Sequence, residues 1–93
     1  MTSETFVLPA SSTQRRLWML DRLSPGTPEY NIAWSVRLTG ALRVAALTDA
    51  LTWLTGRHET LRTTFTATDG EPSQVIHPPR PVRPAVTDLT HLP

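Results

Sequence analysis

Along residues 30–39, Tyr30, Ile32, Trp34, Val36 and Leu38 alternate with Asn31, Ala33, Ser35, Arg37 and Thr39. A period of two puts the large apolar side chains on one face and the polar or small ones on the other, which predicts a strand closed by Gly40. The period then changes. Val44, Leu47, Leu51 and Leu54 recur at helical spacing, Leu61 lies a heptad further on, and Ala45, Ala46 and Ala50 favour helix. The stripe continues through His58, so the predicted helix runs from Val44 to about His58 or Glu59. It tolerates Gly56 at a cost of about 1 kcal/mol. Upstream, Leu17, Trp18, Leu20 and Leu23 form an apolar face against Arg15, Arg16, Asp21 and Arg22. Ser11 and Gln14 before them have capping-box spacing: the hydroxyl accepts from the Gln14 amide while the Gln14 side chain reaches back. The expected helix covers about Ser12 to Leu23. It is ended by Ser24-Pro25-Gly26-Thr27-Pro28.

The remaining pattern is mostly extended. Thr5 to Leu8 predicts a short strand stopped by Pro9. Leu61 to Thr68 is rich in β-branched residues, Asp69-Gly70 is a turn pair, and Ser73 to His77 is again strand-like. Together they predict a hairpin with a loop somewhat longer than two residues. Pro78-Pro79-Arg80-Pro81 and Pro84 impose a polyproline-like path. Ala85-Val86 reads as one more short strand, and Thr87-Asp88-Leu89-Thr90 as the start of a further element. The order β-α-β-α-β-β implies an α/β fold of the α+β sandwich type. There are more strands than two helices can cover, and the chain stops where another element begins. The pattern therefore predicts a section of a larger domain.

Composition narrows the function. The chain has 93 residues, of which 39% are apolar and 18% charged, and it holds 9 prolines and no cysteine. Both fractions lie below the usual values of about 45–50% and 25%, and neither disulfides nor thiolate metal sites are available. The 9 basic residues, all Arg, against 8 acidic ones leave +1, which argues against nucleic acid or an anionic membrane as partner. Met1-Thr2-Ser3-Glu4 lacks the features of a signal peptide, and no apolar run approaches the roughly 20 residues of a membrane span. A cytoplasmic setting is expected.

Chemistry is sparse. His58-Glu59 opens like a zinc-protease motif, but Arg62 stands where the second His belongs. His58, His77 and His91 do not have ligand spacing, so no metal site is expected. The glycines at 26, 40, 56 and 70 form no phosphate loop, and no Ser lies in a nucleophile elbow. Arg15-Arg16 reads as a solvated helix face. His58, on the apolar stripe, reads as a buried, hydrogen-bonded histidine. Trp18 and Trp34 read as core residues. Arg62, between Leu61 and Thr63, reads as a partly buried guanidinium held by a carboxylate.

Two stretches carry a family resemblance. Ser11-Ser12-Thr13-Gln14-Arg15-Arg16-Leu17-Trp18-Met19-Leu20 resembles S-x-A-Q-x-R-L/M-W-x-L, with Thr13 in place of Ala. Arg57-His58-Glu59-Thr60-Leu61-Arg62-Thr63-Thr64-Phe65 matches R-H-E-x-L-R-T-x-F at every fixed position. Both are similar to motifs of the condensation domains of nonribosomal peptide synthetases. Pro25 to Asn31, Leu38 to Leu42, Asp69 to Ile76 and Asp88-Leu89-Thr90 also resemble that family, although Arg43 stands where Asp is more usual. The resemblance implies structural roles for Ser11, Gln14, Arg16, Trp18, Arg57, His58, Glu59, Leu61, Arg62, Thr63 and Phe65.

It further implies two chloramphenicol-acetyltransferase-like lobes around a tunnel in the full domain. Donor and acceptor peptidyl carrier proteins bring phosphopantetheine thioesters to its two ends, and the domain joins them as an amide. The family's catalytic His belongs to H-H-x-x-x-D-G, where it orients or deprotonates the attacking amine. No such motif occurs here: Thr64 and Phe65 stand where Asp69-Gly70 would need histidines. Residues 1–93 are thus expected to be the N-terminal part of the first lobe, without a catalytic or cofactor-binding residue, inactive alone and completed by the remainder of the domain. Arg62 is expected to pair with the Asp of the missing motif. Two other readings are a fragment of a related cyclisation or acyltransferase domain, and a small non-enzymatic module that binds carrier proteins or synthetase domains. The Pro25–Asn31 segment resembles the type that takes an L-configured donor.

Overall fold

The computed structural model describes residues 4–93. Of the Met1-Thr2-Ser3-Glu4 stretch read against a signal peptide, the first three residues lie outside them. The fold is mixed α/β with a small antiparallel sheet. In chain order it comprises β1 (Phe6–Pro9), α1 (Ser12–Leu23), α2 (Val44–Arg57), a 3-10 turn (Glu59–Arg62), β2 (Thr63–Thr68) and β3 (Glu71–Ile76).

Helix α1 starts as its sequence dictates. Ser11 is extended (φ −69°, ψ 168°). Its Oγ accepts from the Gln14 amide at 3.1 Å, and its own amide donates to Gln14 Oε1 at 2.8 Å. Two otherwise unpaired donors of the first turn are satisfied in this way. Helix α2 has no side-chain cap at Arg43. It contains Gly56 and ends one to two residues before the expected His58 or Glu59, with the His58 amide donating to Leu54 O at 3.1 Å. His58 itself is extended (φ −115°, ψ 106°), so the last helical turn gives way to the 3-10 turn leading into β2.

The sheet has the order β1-β3-β2. Phe6 pairs with Ile76 and Pro9 with Ser73 on one side of β3; Thr63 pairs with Ile76 and Thr68 with Glu71 on the other. The hairpin loop is shorter than expected. Asp69 (φ 52°) and Gly70 (φ 78°) alone make it. Two consecutive positive φ values give the type I′ turn whose twist matches the flanking strands, and Asp-Gly is a favoured pair for it. The second strand therefore starts at Glu71 rather than Ser73. Pro72 fits within it at the end of the pairing with β1, where its carbonyl accepts from the Ala10 amide at 3.4 Å one step beyond Pro9↔Ser73 and the missing N–H falls at the ladder's last position.

The strand expected at residues 30–39 does not form. The segment has no regular secondary structure and carries no ladder hydrogen bonds among the described residues, and it opens on a local turn in which the Asn31 amide donates to Pro28 O at 3.0 Å. Ile32 is 92% and Trp34 81% exposed, so Trp34 is not a core residue. Alternation specifies which face can be buried, but a ladder also needs a neighbouring strand about 4.8 Å away. No strand is formed at Ala85-Val86 either. There, Asp88 accepts from the Thr90 amide at 2.9 Å and the Thr90 hydroxyl at 2.6 Å, making a local turn. Ile76, 7% exposed, and Pro72 are buried among the described residues, both in β3. The structure measures 51 × 37 × 17 Å with a radius of gyration of 17.3 Å, against about 12 Å for a compact chain of this length.

Candidate functional site

The junction between α2, the hairpin and the proline-rich return is built on Arg62. Its Nε donates to Thr55 O at 3.1 Å, Nη2 to Gly56 O at 3.3 Å and Nη1 to His77 O at 2.7 Å. Thr55 and Gly56 lie in the last turn of α2, where carbonyls lack intrahelical partners and the helix dipole is negative. A guanidinium fits that end because its planar donors can span several oxygens. The backbone closes the same junction: His77 N donates to Arg62 O at 2.9 Å, one step beyond the Thr63↔Ile76 pair. Arg62 is half-buried, as expected, but three backbone carbonyls hold it in place of the expected carboxylate. The sequence signal was only its partial burial. Carbonyl partners arise from chain geometry and leave no mark on residue identity.

The hydroxyls around the clamp extend it. Thr63 Oγ1 donates to Glu59 O at 2.8 Å, and Thr64 Oγ1 is 2.7 Å from His77 Nε2. Val82 N donates to Thr52 Oγ1 at 2.9 Å, tying the proline-rich strap to α2. A groove of about 390 Å³ runs between these parts, lined by Arg62, His77 and Arg80 among others.

The first motif meets the second across α1. Trp18, Gln14 and Phe65 line a common groove of about 470 Å³. Trp18 is half-buried rather than fully in a core, and Arg22 lies 4.8 Å over its ring. Arg15 does not simply face solvent: its Nη2 donates to Glu71 Oε1 at 2.6 Å, linking α1 to β3. Both partners are about half exposed, so the pair contributes at most about 1 kcal/mol. Residues 56 positions apart gave no sequence signal for this contact. Arg16, Arg57, His58 and Glu59 are exposed. The buried histidine expected at 58 is thus on the surface, because Leu54, one turn before it, is itself 39% exposed and no layer covers that stripe.

The arrangement holds segments together, and its one hydroxyl–imidazole contact among the described residues, Thr64 Oγ1 to His77 Nε2, has no carboxylate hydrogen-bonded to the ring. A guanidinium stays protonated at any working pH and cannot take a proton from a substrate. Asp88 has its carboxyl held below the usual range by the Thr90 hydroxyl and amide, but it is exposed and lies outside the clamp. Among the described residues no group of His, Cys, Asp and Glu could hold a metal ion, and no helix is long and apolar enough to cross a membrane.

A family model described as Condensation domain matches residues 4–93. A linear gramicidin synthase polypeptide of Brevibacillus parabrevis is 54% identical over 71 residues, covering 76% of this chain and 1% of that protein. Phosphinothricin tripeptide synthetase PhsC of Streptomyces viridochromogenes is 46% identical over 86 residues, 92% of this chain and 8% of that protein. Cyclosporin synthetase of Tolypocladium inflatum is 47% identical over 89 residues, 96% of this chain and 1% of that protein. The chain therefore spans 1–8% of the length of these relatives. No solved structure matches.

Proposed function

This chain belongs to the condensation-domain family, and we propose that it forms the opening section of the first, chloramphenicol-acetyltransferase-like lobe of a nonribosomal peptide synthetase condensation domain. The match to that family over residues 4–93 carries the reading. In the complete domain, an acceptor amine attacks a donor thioester. A C–N bond forms, the C–S bond breaks, and the thiol leaves on the donor's phosphopantetheine arm. Donor and acceptor carrier proteins present both substrates, and phosphopantetheine arrives on them rather than binding to this section as a resident cofactor.

The section's own part is support. The sequence has no H-H-x-x-x-D-G, so proton handling falls to the remainder of the domain. Arg62 fixes the end of α2, the start of β2 and the exit of β3 relative to one another. Three of its five N–H donors are engaged. The other two suit a carboxylate, and the Asp of the missing motif is the proposed partner.

The test is a graft. Residues of this chain replace the matched 86-residue stretch of PhsC, and amide formation between loaded carrier proteins is followed by intact mass. The graft is expected to keep the parent's product, while the free 93-residue chain gives none above a no-protein control. A folded graft that forms no amide contradicts the reading, as does turnover by the free chain.

A further inference from the structure

We infer that Thr52 is a positioning residue of the condensation domain: its hydroxyl latches the proline-rich strap, residues 78–84, onto α2. This rests on the reading above. The strap is poor in donors. Pro78, Pro79, Pro81 and Pro84 carry no N–H, which leaves the amides of Arg80, Val82 and Arg83. A segment of this kind suits neither a helix nor a regular ladder, so a few side-chain contacts decide where it lies. Among the described residues, its hydrogen bond to the rest of the chain runs from Val82 N to Thr52 Oγ1, part-buried, at 2.9 Å.

The helix presents a matching seat. The half-buried positions of α2 are Leu47, Thr48, Leu51, Thr52, Thr55 and Gly56, so a stripe of threonines and glycine is covered alongside two leucines. Thr55 keeps its hydroxyl within the helix, donating to Thr52 O at 3.1 Å, as helical threonines commonly do. Thr52 Oγ1 instead accepts from a residue 30 positions away. One turn further on, the strap passes Gly56 closely: a Cβ there would lie 4.0 Å from Pro79 Cβ, an ordinary van der Waals contact. Pro78, Pro81 and Val82 then form one wall of the groove that Arg62 lines. In the reading above Arg62 receives the Asp of the missing H-H-x-x-x-D-G, so the latch holds the wall beside that pairing. Thr52 acts through the strap and does not touch substrate.

The PhsC graft tests this, with exchange of the Val82 amide, melting temperature and amide formation read on the same samples. Thr52→Val keeps the shape and β-branching and removes the hydroxyl, and Thr52→Ala favours helix more strongly, so both are expected to fold. Each should speed Val82 exchange by about 3- to 10-fold, the weight of one hydrogen bond. Each should also slow single-turnover amide formation, with the carrier-protein concentration for half-maximal rate unchanged. Thr52→Ser keeps the oxygen and should restore both readouts. Unchanged Val82 exchange in Thr52→Val and Thr52→Ala overturns the latch. Faster exchange with an unchanged rate overturns the positioning role and leaves the condensation reading standing, as does a loss of rate that Thr52→Ser does not recover. A folded graft that forms no amide, yet loses Val82 protection in Thr52→Val, upholds the latch and overturns the condensation reading instead.

Discussion

β3 runs between two strands, and residues 30–39 run between none. The first contains Ile76, 7% exposed, with Phe6 opposite it on one side and Thr63 on the other. The second contains Ile32, 92% exposed, although its alternation of apolar and polar residues is the more regular of the two. Order in this chain follows the availability of a partner rather than the strength of the pattern. β3 has its partners because they are close in sequence or anchored: β2 is joined to it by a two-residue turn, and β1 is followed immediately by a capped helix that touches Glu71 through Arg15. Residues 30–39 have neither device.

The largest test of this contrast is a matched pair of substitutions. Ile76→Ala should cost about 2–3 kcal/mol, the lower part of the range for buried aliphatic truncations because cover here is thin. Ile32→Ala should change stability in the free chain by no more than about 0.5 kcal/mol, as for an open surface site. Urea midpoints measure both; equal losses would break the comparison. Gly70→Ala sharpens it by attacking the turn that delivers β2 to β3. At φ 78° a Cβ costs about 1–2 kcal/mol, and the hairpin amides should exchange faster while those of residues 31–38 do not change. Ser11→Ala removes the acceptor of the Gln14 amide and should cost about 1 kcal/mol, read as a lower thermal midpoint and loss of helical circular dichroism.

The smallest effect concerns Asp88, in a stretch ordered locally without a strand partner. Bonds from Thr90 favour its ionised form, so its folded pKa lies below its unfolded one. Whatever stability it adds is present above the ordinary Asp value of about 3.9 and is lost as pH falls through the lower folded value. An NMR titration should place the Asp88 midpoint below that ordinary value. Thr90→Val should raise it, since the hydroxyl is the larger cause.

What could be read in the residues was local. The capping box fixed the start of α1, and the boundaries Ser12–Leu23 follow from it and from the Ser-Pro-Gly stop. The start of α2 at Val44 follows from its leucine stripe, and the turn position from Asp69-Gly70. Readings that depended on distant chain did less well. His58 and Trp34 look like core residues only if a second layer exists. The partners of Arg62 come from the last turn of α2 and from the strand exit, and their carbonyls carry no residue identity. Arg15 and Glu71 meet only because β1 places α1 beside β3.

The clamp at Arg62 is the central claim, and variants at that position in the PhsC graft test it most directly. Melting temperature and single-turnover amide formation are measured together for Arg62→Ala and Arg62→Lys. The clamp predicts that Arg62→Ala lowers both, because the carbonyls of Thr55, Gly56 and His77 lose their shared donor. Hydrogen bonds from a charged donor contribute about 1.5–3 kcal/mol each where buried, and less at this half-buried site. Arg62→Lys should recover only part of the loss, since an ammonium cannot span three oxygens as a planar fork does. Wild-type melting in Arg62→Ala with loss of the chemical step alone would contradict the clamp and place Arg62 in the reaction itself.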